Sequence, residues 1–213
     1  MNKNNYSYVG IAFVILVFGI WVTNEYASRS EVKPLVTFEK VPSFSFTNQN
    51  GVTITNEDFK GKVHVVEFFF TSCPTICPVM TQNTVLLQHK FNGNPNFAVA
   101  SISINPENDT PEVLKAYAKE KGATMDNWHF LTGDSDVIFD FSNNGFKLYA
   151  GANGQAPGGF EHSGLFALVD KEGYIRSRTV RMGENENPIK FYDGLDKKAI
   201  EMLKEDIQIL LDL

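Results

Sequence analysis

Apolar positions along this chain of 213 residues fall into distinct patterns, and each predicts a different element. An uncharged apolar run over 9–22 comes first; extended back to Tyr6 it reaches about 17 residues, the lower limit for a helix that crosses a bilayer. Strict alternation in Phe44-Ser45-Phe46-Thr47 predicts a strand, Asn48-Gln49-Asn50-Gly51 a tight turn, and Val52-Thr53-Ile54 the returning strand. Two nearly unbroken apolar stretches, 63–70 and 97–104, read as strands covered on both faces, the habit of parallel sheets. Elsewhere the period lengthens to that of a helix. It does so over 79–91, over 111–121 with Thr110 as cap and Pro111 in the first turn, and over 195–211, where Ile200, Leu203, Ile207, Leu210 and Leu211 share a stripe. Shorter signals mark a strand at 128–131, a helix at 135–141, and a final hairpin of 165–170 and 174–180 around Lys171-Glu172-Gly173.

Strand, helix, strand, helix, hairpin, helix is the order of an α/β protein of the thioredoxin-like fold. Here it would carry an N-terminal β-hairpin, an insertion at 145–159 before the last hairpin, and one transmembrane helix ahead of the whole. The chain divides accordingly into a short tail at 1–8, a transmembrane anchor at 9–23, a tether at 24–40 that mixes charges with Pro34, and one domain at 41–213. That domain is long enough to bury a core without disulfide staples. Tyr6, Tyr8 and Trp21 suit the membrane interface, and the residues after Trp21 offer poor small-residue spacing for cleavage, so the anchor is expected to stay. Lys3 precedes the run while Arg29 and Lys33 follow it, so charge alone does not set the orientation. With Lys3 set aside, the 19 basic residues become 18 against 25 acidic ones, a balance of about −7. No nucleic-acid partner is expected, since that would need a basic patch.

The two cysteines lie together in Cys73-Pro74-Thr75-Ile76-Cys77-Pro78, directly after the apolar stretch that ends at Phe70. Three residues separate them, one more than in Cys-x-x-Cys, so both share a face if a helix opens at the motif, and its dipole then favours the thiolate. Thiolates there serve disulfide exchange and metal binding alike, and the spacing leaves the two open. Two soft sulfurs with one imidazole suit Cu(I), which requires a third ligand among the four histidines. His64 lies inside an apolar strand and reads as a packed residue, His89 as an exposed helix residue, and His129, in Trp128-His129-Phe130-Leu131, as strand edge. His162 differs: it sits in Gly158-Gly159-Phe160-Glu161-His162-Ser163-Gly164, a loop just ahead of a strand, where rigid scaffolds present ligands. Phe68-Phe69-Phe70 and Met80 read as core, although a methionine sulfur can bind Cu(I).

Several segments taken in order carry a family likeness. They are the stretch Val41-Pro42-Ser43-Phe44-Ser45-Phe46, then Phe59-Lys60-Gly61-Lys62, then Phe68-Phe69-Phe70-Thr71-Ser72-Cys73-Pro74-Thr75-Ile76-Cys77-Pro78-Val79-Met80-Thr81, then Ser101-Ile102-Ser103-Ile104-Asn105-Pro106-Glu107-Asn108-Asp109-Thr110-Pro111, and finally Glu161-His162-Ser163. Together they resemble the Sco/SenC family of copper-binding assembly factors for cytochrome c oxidase, from about Val41 to the C-terminal helix. The resemblance implies that Cys73, Cys77 and His162 bind copper, with the choice between Cu(I) and Cu(II) left open, and that Cys73 and Cys77 are the pair that exchanges between dithiol and disulfide. It further implies a single-pass protein of the inner membrane with its domain on the periplasmic side. Its partners would be the copper-bearing subunit of cytochrome c oxidase, other copper chaperones and thiol reductants. One departure stands out: the family usually carries Asp where this chain has Asn105, which supplies no negative charge. Glu161 could supply it, against its plainer reading as a solvated loop carboxylate.

Two functions are thus expected to compete. One is a membrane-anchored copper metallochaperone or thiol-disulfide reductase serving the binuclear copper centre of cytochrome c oxidase. The other is a general thiol-disulfide oxidoreductase acting on protein cysteines, for which copper is incidental and His162 idle. A peroxidase of the same fold would need proton and oxyanion stabilisers beside its cysteine, and no segment clearly supplies them. The insertion at 145–159, rich in Gly and Asn, is expected to be mobile without metal.

Overall fold

The structure, a computed structural model, describes residues 5–29, 34–183 and 185–213. It forms two compact units, Met1–Pro34 and Leu35–Leu213. The first contains helix α1 (Asn5–Arg29). Among the described residues no helix is long and apolar enough to cross a membrane.

The second unit opens with β1 (Val36–Lys40), then the hairpin β2 (Ser45–Asn48) and β3 (Thr53–Thr55), then the single turn α2 (Asn56–Phe59). Residues 36–40, expected to belong to a tether, are therefore a strand. Val36 and Phe38 are half-buried while Thr37, Glu39 and Lys40 are exposed, and β1 is held as an edge by pairing with a later strand. β4 (Val63–Phe69) and β5 (Phe97–Ser103) follow, joined by α3 (Cys77–Phe91). Both strands are buried at every position, as apolar runs between two covered faces must be. α4 (Pro111–Lys121) starts on the Thr110 side chain, which accepts from the Val113 N–H, and stops at Gly122 in the left-handed region. β6 (Trp128–Thr132) and α5 (Ser135–Asp140) complete the regular half.

From there the chain is less regular. A π-helical turn (Phe141–Phe146) ends as the Asn143 side chain bonds the backbone of Ala150 in both directions and Ser142 Oγ donates to the Leu148 carbonyl. The insertion then folds as a small hairpin of its own, β7 (Ala150–Ala152) with β8 (Phe160–His162). β9 (Leu165–Val169) and β10 (Tyr174–Ser177) form the expected hairpin, but it breaks at Arg178, and β11 (Thr179–Met182) turns away to pair with β12 (Asn185–Pro188). The break has a cause: the Arg178 guanidinium reaches Glu205 and Asp206 of the last helix. β13 (Tyr192–Asp193) and α6 (Lys197–Asp212) close the chain, with Ile200, Leu203, Ile207 and Leu210 buried.

The main sheet runs β1-β10-β9-β4-β5-β6-β2-β3, with β13 attached to β9. β4, β5 and β6 are parallel, and β9 lies antiparallel against β4. This is the thioredoxin-like arrangement expected from the element order. β6 has a neighbour on each side, so His129 is not at an edge; its ring meets Phe59 edge-on.

Candidate metal centre

β4 carries the chain to the C-terminal end of the parallel strands, where ligand sites of open α/β sheets gather. The turn after it is fixed from below. Asp109 is wholly buried, and its carboxyl group accepts from the Thr71 N–H (3.0 Å), the Thr71 hydroxyl (2.5 Å) and the Ser103 hydroxyl (2.5 Å). Cys73 follows in that turn, its N–H donating to the Phe70 carbonyl at 3.2 Å. Cys77 is the first residue of α3, with Pro78 beside it in the first turn, where a missing N–H leaves nothing unpaired. The two cysteines therefore do not share a helix face as their spacing suggested: one lies in the turn and one begins the helix. Both are free thiols and both are buried.

His162 comes from the other side, as the last residue of β8. Its hairpin is seated on the site by Phe70, which meets the His162 ring edge-on at 6.0 Å and Phe160 at 5.6 Å. Gly158 lets it approach: its φ is +84°, and a Cβ there would stand 2.7 Å from the Phe70 ring. The His162 Nδ1–H donates to the Ser163 carbonyl at 3.0 Å, which turns Nε2 toward the sulfurs, 3.1 Å from Cys77 Sγ, as a lone pair for a metal when the ring is neutral and as a donor to a thiolate when it is protonated. The ligand atoms of Cys73, Cys77 and His162 all lie within 4.8 Å of one another.

The two thiols are unequal. Burial pushes the Cys73 thiol up, but hydrogen bonding with His162 and Cys77, together with the N–H groups of Cys77 and Thr75 at the helix start, outweighs it and holds it well down, at about 5. Burial pushes Cys77 far up, and the neighbouring Cys73 and Glu67 add to the rise. Cys73 is the ready thiolate and Cys77 the reserve.

The remaining candidates fall away from this centre. His64 is buried and packed on Phe59, and His89 is exposed on α3. Met80 is buried in the core, and Glu161 is exposed. Asn105 is buried and bonded within its own loop, its N–H to Ser103 Oγ and its carbonyl to the Asp109 N–H. Two acids beneath the thiols were not anticipated. Asp109 was hidden in a run that reads as a helix start. Glu67 carried a visible signal, a single acid within an otherwise apolar strand, and it is buried in β4.

The family model described as SCO1/SenC matches residues 33–197 of this chain. The SCO1 protein homolog of Bacillus subtilis (strain 168) is 32% identical over 183 residues, covering 84% of this chain and 86% of the relative. A SCO1/SenC family lipoprotein from Bacillus anthracis str. Ames, solved by crystallography, matches with a TM-score of 0.69 at 31% identity over 84% of this chain and 98% of that one. BsSco, described as a member of the Sco family of cytochrome c oxidase assembly proteins with a disulfide switch, matches with a TM-score of 0.69 at 30% identity over 86% of this chain and 99% of that one. By sequence and by fold alike, this chain belongs to the SCO1/SenC family.

Proposed function

We propose that this protein is a membrane-anchored copper carrier that assists assembly of the binuclear copper centre of cytochrome c oxidase, with Cys73, Cys77 and His162 as the copper ligands. The observation that carries the reading is the convergence of two sulfurs and one imidazole nitrogen within 4.8 Å. That donor set fits copper: soft thiolates favour Cu(I), and three ligands leave the metal open enough to be passed on. Copper is here the cargo, and the chain's own residues do the holding, with the Ser163 carbonyl fixing the imidazole tautomer. For the anchor, support comes from α1, whose Val9, Ile11, Phe13, Leu16 and Phe18 are exposed apolar side chains. The domain would then stand on the periplasmic side, and the recipient would be the copper-bearing subunit of the oxidase.

The inequality of the thiols favours a second reading, disulfide reduction of a protein partner, in which the Cys73 thiolate attacks and Cys77 resolves. The relative described as having a disulfide switch lends this weight. His162→Ala separates the two. On the copper reading the full-length variant should lose Cu(I) affinity at least tenfold, whereas its thiol exchange should slow only as far as the Cys73 thiolate loses its hydrogen bond to His162, and Cys73→Ser or Cys77→Ser should abolish tight 1:1 binding. Titration with a competing Cu(I) chelator reads the result; undiminished affinity in either cysteine variant would sink the copper reading.

A further inference from the structure

A cleft of about 380 Å³ opens where β4 begins, at the opposite end of that strand from the thiols. Its size is that of a site for a small molecule. Two of its walls are tied down through the backbone: the Val41 N–H donates to the Gly173 carbonyl at 2.9 Å, and the Gly61 N–H to the Lys171 carbonyl at 3.0 Å. Asn56 braces a third, accepting from the Phe44 N–H at 2.8 Å and donating to the Pro42 carbonyl at 3.0 Å. Phe44 and Phe59 supply an aromatic lining, their ring centroids 6.0 Å apart. One polar atom in this lining is left over. His64 is 4% exposed, and its Nδ1–H donates to the Lys62 carbonyl. Nε2 has no partner among the described residues, yet it is not sealed among core atoms either. Burial pushes the imidazole down to about 4, so near neutral pH the ring is uncharged and Nε2 offers the cleft a lone pair, not a proton.

A lone-pair acceptor set among aromatic walls is matched by an O–H carried on a flat apolar body. The mouth adds a preference of charge. Lys60 faces Glu57, and the Lys171 ammonium donates to the Leu211 carbonyl, but Lys40 has no acidic partner among the described residues and lies over the Tyr174 ring. Three lysines against Glu57 and Glu172 leave the mouth one charge positive. We propose that this cleft is a binding site for a small phenol bearing an acidic group, its ring against Phe44 and Phe59, its hydroxyl donating to His64 Nε2 and its acid turned toward Lys40. The site is separate from the thiols. β4 is seven residues long, so on the order of 20 Å of strand lies between the two, and the ligand touches neither cysteine.

The test is made on metal-free full-length protein, with 4-hydroxybenzoate as the probe and benzoate, which lacks the hydroxyl, as its control. Titration with 4-hydroxybenzoate should shift the nitrogen-15 resonance of His64 Nε2, as accepting a hydrogen bond does, together with the ring signals of Phe44 and Phe59. Benzoate should bind about tenfold more weakly, the loss of one hydrogen bond. An unmoved Nε2 resonance at millimolar probe, or equal affinity for the two compounds, overturns the proposal. His64→Phe keeps a ring without the acceptor and should bring 4-hydroxybenzoate down to the level of benzoate; a folded variant that still prefers the hydroxyl also overturns it, and if the variant does not fold the wild-type comparison decides alone. Lys40→Gln should weaken 4-hydroxybenzoate about threefold while leaving phenol unchanged, and an undiminished affinity overturns the contact with the acid. Failure to bind copper, by contrast, would leave every one of these readouts standing while removing the carrier function.

Discussion

His64 is buried in β4 with its ring 4.6 Å from that of Phe59, and its Nδ1–H donates to the Lys62 carbonyl at 3.2 Å. Burial pushes the imidazole down to about 4 from an ordinary 6.5. Between those values the unfolded chain binds the proton and the folded one does not, so stability rises with pH across that window. The contribution, about 3 kcal/mol, is complete above pH 6.5 and is lost as the pH falls toward 4. His64→Leu should flatten the pH slope of the urea unfolding free energy over that range, and an unchanged slope would refute the assignment. Asp109 makes a different residue-scale prediction. Asp109→Ala strands three donors, two on half-buried Thr71 and one on buried Ser103, and should destabilise the domain by about 3 kcal/mol in the same assay, with weaker copper binding as the turn before Cys73 loosens. Cys73, Cys77 and His162, which the fold brings within 4.8 Å of one another, were legible as candidates because reactive side chains are few and stood in a turn and a loop. The sequence concealed Asp109, whose partner Thr71 stands 38 residues away and becomes a neighbour only when the strands align.

The hairpin of β7 and β8 is the element on which the candidate metal centre depends most. It is a two-stranded sheet separate from the main one, and it is fixed over the thiols by close approach at Gly158. Gly158→Ala adds a Cβ 2.7 Å from Phe70 at a φ of +84°, so the hairpin must lift. Copper affinity should fall about tenfold or more while the thermal midpoint moves little, as checked by chelator competition and calorimetry; a matching loss of global stability would place the hairpin in the core instead. Before metal binds, backbone order parameters over 145–159 are expected to be lower than those of β4 and β5. Elements with strong periodicity, such as α4 and α6, were legible because burial of one face dictates where apolar residues fall. β1, β7, β8, β11 and β12 were not, since they are held by backbone pairing and bury little.

At the scale of the molecule, every residue of the described core lies within Leu35–Leu213. Removal of residues 1–34 should therefore leave both the unfolding midpoint and the Cu(I) affinity unchanged, which denaturation and titration of the shortened chain would check. The strand order explains why the histidine arrives so far along the chain: β9 returns antiparallel to β4, so whatever precedes β9 is delivered to the end of β4 where the cysteines lie. That same connection limits what the imidazole can do. Ser163 and Gly164 alone join His162 to β9, and Gly164 is clamped through its carbonyl by the Gly194 N–H at 2.7 Å. A leash of two residues reaches about 7 Å at full stretch. The ring can pivot aside, as a latch does, but it cannot travel, so on the carrier function proposed above the empty cradle would keep its third donor at the door after each handover.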